Sequence, residues 1–412
     1  MFEELVFEAE KILLGTVFAE LDKIEYVNQK KVLKAFTDNH VGEHHLKGTT
    51  GYGHNDIGRE ALEKVYASVF HTESALVRPH FASGTHALST GLFGCLSPGD
   101  EMLAVAGKPY DTMEEVIGLR GKNQGSLMEW GVTYKQHELN ENKEVDIDGL
   151  DKSINSKTKV AFIQRSRGYD WRPSVTMDKL ELICKRLREI KEDLIIVTDN
   201  CYGEFTEMRE PTDVGADMVI GSLIKNPGGG IVACGGYIAG REDLVERAAC
   251  RLYAPGIGRE GGATLDFLRL AFQGLFIAPH IVMQAVRSST LASKVFENLG
   301  YEVSPRYDQP RTDIIQSIKF NDAKVLQAFC KAIQENSPVD SYVSPIPDVV
   351  PGYEDNVIMA AGNFIEGSTI ELSADAPIRP PYIAYLQGGL TYNHGKLAII
   401  KSLEKMSKYI NK

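Results

Sequence analysis

The sequence predicts an α/β protein: a large domain around a mostly parallel sheet, followed by a smaller C-terminal α+β domain. Three observations predict it. From about residue 74, short β-branched or apolar runs alternate with longer segments of helical period, as a sheet covered by crossover helices on both faces requires. A long helical stretch from Thr264 to Leu299 ends that alternation, and a second, shorter one follows it. The 412 residues are 43% hydrophobic and 25% charged, an ordinary globular composition. At roughly 100–200 residues per domain, that length suggests about two to four domains.

The elements follow in order. Phe2, Leu5, Val6, Ala9, Ile12 and Leu13 share one face at helical spacing, so the N-terminus reads as an amphipathic helix. Its acidic residues stand where a signal peptide carries positive charge, and no small-residue cleavage site follows. ALVRP (75–79) then predicts a strand before a helix over Thr85 to Cys95. EMLAV (101–105) precedes a helix over Met113 to Leu119, and VAFIQ (160–164) precedes one over Met177 to Ile190. LIIVT (194–198) and DMVIG (217–221) continue the strands. Beyond the long helical stretch come IIQSIKF, a helix from Asp322 to Asn336, STIELSA and a last helix after Tyr392. The expected division is a helical segment over 1–49, a large α/β domain over 50–280 and a small α+β domain over 281–412.

Charge and cysteine usage exclude several functions. Against 45 Lys and Arg stand 56 Asp and Glu, a formal net charge of -11, which disfavours a sequence-independent grip on phosphodiesters. Nucleic acid is not an expected partner. The six cysteines are scattered with no CxxC pair, as reduced thiols in a cytoplasmic protein would be. The most apolar stretch, Phe267 to Val286, is interrupted by Arg269, Gln273, Pro279, His280 and Gln284, so no membrane span is expected.

Three segments carry candidate chemistry, because ligands of open α/β sheets gather at the carboxyl ends of strands. Ser83, Gly84 and Thr85 open a helix and could present N–H groups and hydroxyls to a phosphate, although Ser-Gly-Thr also serves as an N-cap turn. Asp199 ends the strand LIIVT, where it could face a crevice or merely form a turn. Ser222 ends DMVIG, with Lys225 three residues later before NPGGG. A lysine desolvated there becomes a nucleophile able to form a Schiff base, whereas a lone loop lysine is solvated. Taken together, a phosphate loop, a strand-end acid and a Ser-x-x-Lys strand end describe what pyridoxal phosphate needs.

Here the chain resembles the fold-type-I, aspartate aminotransferase-like enzymes of pyridoxal 5'-phosphate, within the cystathionine lyase and methionine gamma-lyase superfamily. GYGHNDIGRE, RPHFASGTHAL, QRSRGYDWRPS, TDNCYGEF, GSLIKNPGGGI and ELSADAPIRPPY are similar to its methionine gamma-lyase-like group, often labelled aluminium resistance proteins and including cystathionine beta-lyase-like members. The resemblance covers nearly the whole chain.

It implies Lys225 as the lysine that links to the cofactor and Asp199 as partner of the ring nitrogen. It implies phosphate contacts from Ser83, Gly84, Thr85 and Ser222, and Tyr110 stacked on the ring. Tyr52 matches a tyrosine that reaches a neighbouring subunit's phosphate, which implies a homodimer with shared sites, paired into a homotetramer. The arginine of that pattern is missing: His54 stands there, and the next arginine is Arg59. An asparagine-bearing loop is replaced by Gln164, Arg165, Ser166 and Arg167. For the substrate carboxylate a bidentate guanidinium fits best, and Arg379, between prolines, is the first choice over a surface role.

The implied reaction is carbon–sulfur elimination from a sulfur amino acid of the cystathionine or methionine type. Lys225 would move the Cα proton and Tyr110 would help protonate the thiolate. An aminotransferase or another reaction of the same cofactor is the nearest alternative. A cofactor-binding protein with a metal-tolerance or regulatory role is the other. Two patterns are set aside: GIGREG (256–261) follows no strand, and His40, His44 and His45 lie in a glycine-containing polar loop, so no metal site is expected.

Overall fold

The computed structural model describes residues 2–122, 124–350, 353 and 355–410. Three helices lead in: α1 (Phe2–Leu14), α2 (Phe18–Asp38) and α3 (Ile57–Val69). The N-terminal amphipathic stretch is therefore two helices, broken at residues 15–17. Val6, Ala9 and Leu13 are buried, but Ile12 is 44% exposed, so the apolar stripe is narrower than its spacing suggests. Asp56 caps α3 by accepting the Arg59 N–H at 2.9 Å, and takes further hydrogen bonds from Thr49 and Thr264.

The first sheet is built from β1 (Ser74–Arg78), α4 (Gly84–Cys95), β2 (Glu101–Ala104), α5 (Asp111–Ile117), β3 (Thr133–Gln136), β4 (Thr158–Gln164), α6 (Met177–Ile190), β5 (Ile195–Asp199), β6 (Met218–Ser222), β7 (Gly236–Gly240) and α7 (Glu242–Leu252). Its strand order is β1-β7-β6-β5-β4-β2-β3. β6, β5, β4, β2 and β3 are parallel, and β7 runs antiparallel to both of its neighbours. β1, antiparallel to β7, therefore runs with β6. In consequence the chain leaves β1, β2, β4, β5 and β6 at one edge. The sequence reading anticipated eight of these elements closely, β1, α4, β2, α5, β4, α6, β5 and β6, but missed β3 and β7. Thr133–Gln136 has no fully buried residue, and Gly236–Gly240 opens and closes on glycine.

α8 (Phe267–Asn298) then leads to the second sheet: β8 (Glu302–Ser304), β9 (Ile315–Lys319), α9 (Ala323–Glu335), β10 (Asp348–Val349), β11 (Asn356–Ala361), β12 (Ser373–Pro377) and β13 (Ile383–Gln387), closed by α10 (Tyr392–Ile410). The order is β10-β11-β12-β13-β9-β8, antiparallel throughout. The strand expected over STIELSA begins only at Ser373, so register reaches the ADAP residues instead. Among the described residues α8 is the one helix long and apolar enough to cross a membrane. Its Leu275, Val282 and Val286 share one core cluster with Val219 of the first sheet and Ile318 and Leu386 of the second, so it serves as a core helix between the sheets.

The GIGREG segment follows α7 and contains a single 3-10 turn, Gly258–Glu260. Its carbonyls receive two buried arginines. Arg59 donates to the carbonyls of Gly53, Glu260, Gly261 and Gly262, and Arg78 donates to that of Arg259.

Candidate active site

At the shared edge, the turn after β1 meets the end of β6. Ser83 caps α4, its Oγ accepting the His86 N–H at 3.1 Å, so the bland capping role is real. Gly84 is where the two elements touch: a Cβ there would stand 3.2 Å from Ser222 Cβ and 3.5 Å from Cys201 Sγ. Thr85 Oγ1 lies 3.1 Å from Tyr110 Oη and 3.1 Å from Thr112 Oγ1. Tyr110, entering α5, is held from the other side by its own N–H, which donates to Gln164 Oε1 at 2.8 Å. Gln164 ends β4 and pairs with Asp199 in register, so the ends of five strands, β1, β2, β4, β5 and β6, converge here.

Asp199 and Lys225 occupy the centre. Asp199 is 3% exposed and accepts the Cys201 N–H at 3.0 Å. Burial raises its pKa above the ordinary aspartate value, against the pull of Lys225 and Cys201. Lys225 Nζ stands 3.9 Å from the centroid of the Tyr202 ring. Burial works against its charge, but the neighbouring Asp199 carboxylate helps to hold its pKa well above the usual lysine value. Burial likewise keeps the Tyr110, Tyr202 and Cys201 protons on, raising all three.

Two of the anticipated residues lie apart from this centre. Tyr52 is 83% exposed and stacks on His54, with ring centroids 5.7 Å apart. Arg379 is exposed, paired with Asp355 at 2.7 Å and donating to the Tyr169 carbonyl at 3.1 Å. It lines a surface cleft with Tyr169, Trp171 and Tyr385, and it also acts electrostatically on Asp111, next to Tyr110. Arg59 is engaged by the carbonyls described above. Arg165 is buried against Asn200, Glu207 and Thr312, and Arg167 against Ser304 and Ser317, so the arginine-bearing loop ties the first sheet to the second. Sequence reasoning missed Tyr202, Glu204 and Asp375. The first two sit in the quoted TDNCYGEF, where their spacing after Asp199 was a usable signal.

These groups fit pyridoxal 5'-phosphate. Ser222 Oγ is buried without a hydrogen-bond partner, an orphan that a phosphate oxygen would satisfy. The cradle over Gly84 is one that a side chain would fill. The antiparallel β7 in an otherwise parallel sheet, with an acid and an amine at the carboxyl edge, defines a fold-type-I, aspartate aminotransferase-like protein with pyridoxal phosphate as its cofactor.

More narrowly, the methionine gamma-lyase family model matches residues 2–407, and the chain belongs to that family. It is 47% identical to the uncharacterized protein YnbB of Bacillus subtilis strain 168, over 98% of this chain and 96% of that one. A crystal structure of a carbon-sulfur lyase involved in aluminum resistance, from Clostridium novyi NT, is 50% identical. It superposes with a TM-score of 0.93 over 98% of this chain and 95% of its own. Yeast cystathionine gamma-lyase, 17% identical, shares the fold with a TM-score of 0.58 over 85% of this chain and 86% of its own.

Proposed function

We propose that the protein is a pyridoxal phosphate-dependent carbon–sulfur lyase that eliminates a thiol from a sulfur amino acid, leaving a 2-oxo acid and ammonia. The observation that carries this reading is the meeting of Lys225, Asp199, Tyr110 and the Ser83–Thr85 turn at one strand edge. Ser83, Gly84, Thr85 and Ser222 would hold the phosphate with N–H groups and hydroxyls at the start of α4. When bound, the cofactor supplies an electron sink that acidifies the Cα proton of an amino acid.

The chain's own residues do the rest. Lys225 Nζ, beside the Tyr202 ring, would take the Cα proton as the neutral amine that linkage to the cofactor leaves once that linkage is exchanged. Asp199, held by the Cys201 N–H, would partner the ring nitrogen and favour its protonated form. Tyr110 keeps its hydroxyl proton through burial and is held by Thr85, ready to stack on the ring and to donate to a departing thiolate. Arg379 takes the substrate carboxylate by exchanging it for Asp355. The exposed Tyr52 is free to serve the phosphate site of a second subunit, in a dimer or tetramer of this chain.

Purified protein should show a visible absorbance band that borohydride removes, with the cofactor mass then fixed on the peptide bearing Lys225. Incubation with a panel of sulfur amino acids should release thiol and 2-oxo acid. Cofactor conversion to its amine form without thiol release would replace the lyase reading by transamination. Bound cofactor with neither outcome across the panel would leave a binding role.

A further inference from the structure

Beside the amine, the second sheet contributes a carboxylate that the steps above do not use. Asp375 lies in the middle of β12, opposite Met359 of β11 and Tyr385 of β13, and is 8% exposed. Among the described residues its hydrogen-bond partners are neutral: Gln387 Nε2 donates at 3.0 Å, and the Tyr169 hydroxyl donates as well. Tyr169, which donates to it, packs in one cluster with Tyr202, whose ring centroid is 3.9 Å from Lys225 Nζ, so the carboxylate is separated from the amine by aromatic rings and feels its charge. Burial raises its pKa to about 6, which leaves it largely ionised at neutral pH.

Aromatic faces surround it. The Tyr169 ring centroid lies 5.2 Å from that of Tyr353 and 5.2 Å from that of Tyr385. Tyr169, Tyr202 and Trp171 pack on one small cluster with Tyr385 and Ile383. A buried carboxylate held only by neutral donors is costly, and a cation relieves that cost. Ring faces attract the same cation, whereas an anion would be repelled. Lys225 is the cation at hand, but it is committed to the cofactor.

We propose that Asp375 and the rings of Tyr169, Tyr202 and Tyr353 form the subsite for the end of the substrate's side chain and select an ammonium group there. The substrate class is then a thioether amino acid whose leaving thiol is an aminothiol. The C–S bond breaks with its electron pair on sulfur, sulfur takes up one proton, and the ammonium departs unchanged. This inference rests on the amino-acid lyase reading above.

Three unreactive amino acids of nearly equal size test it by calorimetric titration of the holoprotein: L-ornithine with a cationic end, L-norleucine with a methyl, and L-glutamate with an anion. Wild-type protein should bind ornithine about tenfold more tightly than norleucine, and glutamate most weakly. In Asp375→Asn the ornithine preference should collapse to about onefold, with norleucine affinity kept within about twofold. Equal wild-type affinities for ornithine and norleucine overturn the subsite and leave the lyase reading standing. A variant that keeps the preference, or loses all ligands alike, overturns it too. Failure of every amino acid to bind the wild-type holoprotein overturns both readings.

Discussion

Glu204 provides a test of how the floor of the site is built. Its side chain is fully buried: Oε1 accepts the Tyr237 hydroxyl at 2.9 Å, and Oε2 is buried without a hydrogen-bond partner. Burial raises its pKa from 4.5 to about 8, opposed by the Tyr237 hydrogen bond and by Lys225. The folded chain therefore keeps this proton across a window in which the unfolded chain has released it. Stability from this group is fully present below about pH 4.5, falls as pH rises, and levels off above about pH 8. Each pH unit inside the window costs about 1.4 kcal/mol, so the penalty at pH 7 is about 3 kcal/mol.

Glu204→Gln copies the protonated acid in shape, still accepts from Tyr237 and cannot titrate. Urea unfolding of wild type and variant, followed in parallel from pH 5 to pH 8.5, isolates this group, because every other titration is common to both. The variant should match wild type near pH 5 and exceed it by about 3 kcal/mol at pH 7. Parallel curves across the range, or a variant that is weaker at pH 8, would refute the claim that the carboxyl is kept neutral by burial.

Three further substitutions probe separate parts of the molecule. Gly84→Ala places a methyl 3.2 Å from Ser222 Cβ, so cofactor affinity measured by absorbance titration should fall about tenfold, while the apoprotein should lose about 1 kcal/mol of stability. Arg379→Ala removes an exposed pair with Asp355, so stability should change by less than about 1 kcal/mol. In the same variant, steady-state kinetics should show KM raised about tenfold or more with kcat nearly intact. Arg59→Met leaves the carbonyls of Gly53, Glu260, Gly261 and Gly262 without their donor, and thermal unfolding should report a loss of about 3 kcal/mol or more.

Most of the first sheet and its chemistry were legible because they are local. A buried parallel strand writes itself as an apolar run, and the residue that ends it falls at the ligand edge whatever the rest of the chain does. Asp199 and Ser222 could therefore be placed from LIIVTD and DMVIGS alone, and Lys225 followed from its distance past Ser222. Helical period alone bounded α6 and α9 within a residue, and in the structure Thr176 and Asp322 cap their first turns by accepting backbone N–H groups. β7 was illegible for the converse reason: its glycines suit close packing, with a Cβ at Gly240 standing 2.4 Å from the Asp217 carbonyl, and so erase the apolar signature.

The segment SADAPIRPPY shows where such reading stops. A guanidinium matches a carboxylate by geometry, so Arg379 draws attention, while an Asp two residues before a proline looks like a turn. Register decides otherwise. Ser373 to Pro377 pair with β11 and are buried throughout, carrying Asp375 inward, while Arg379 falls past the strand's end and reaches solvent. No property of the decapeptide fixes that register; it comes from β11 and β13, the latter pairing in turn with β9. The residues proposed to hold the cofactor lie at the ends of first-sheet strands, which their own apolar runs announce. Asp375 lies on the second sheet, where pairing with β11 and β13 decides which way it faces, so its burial could not be read from its neighbours in sequence.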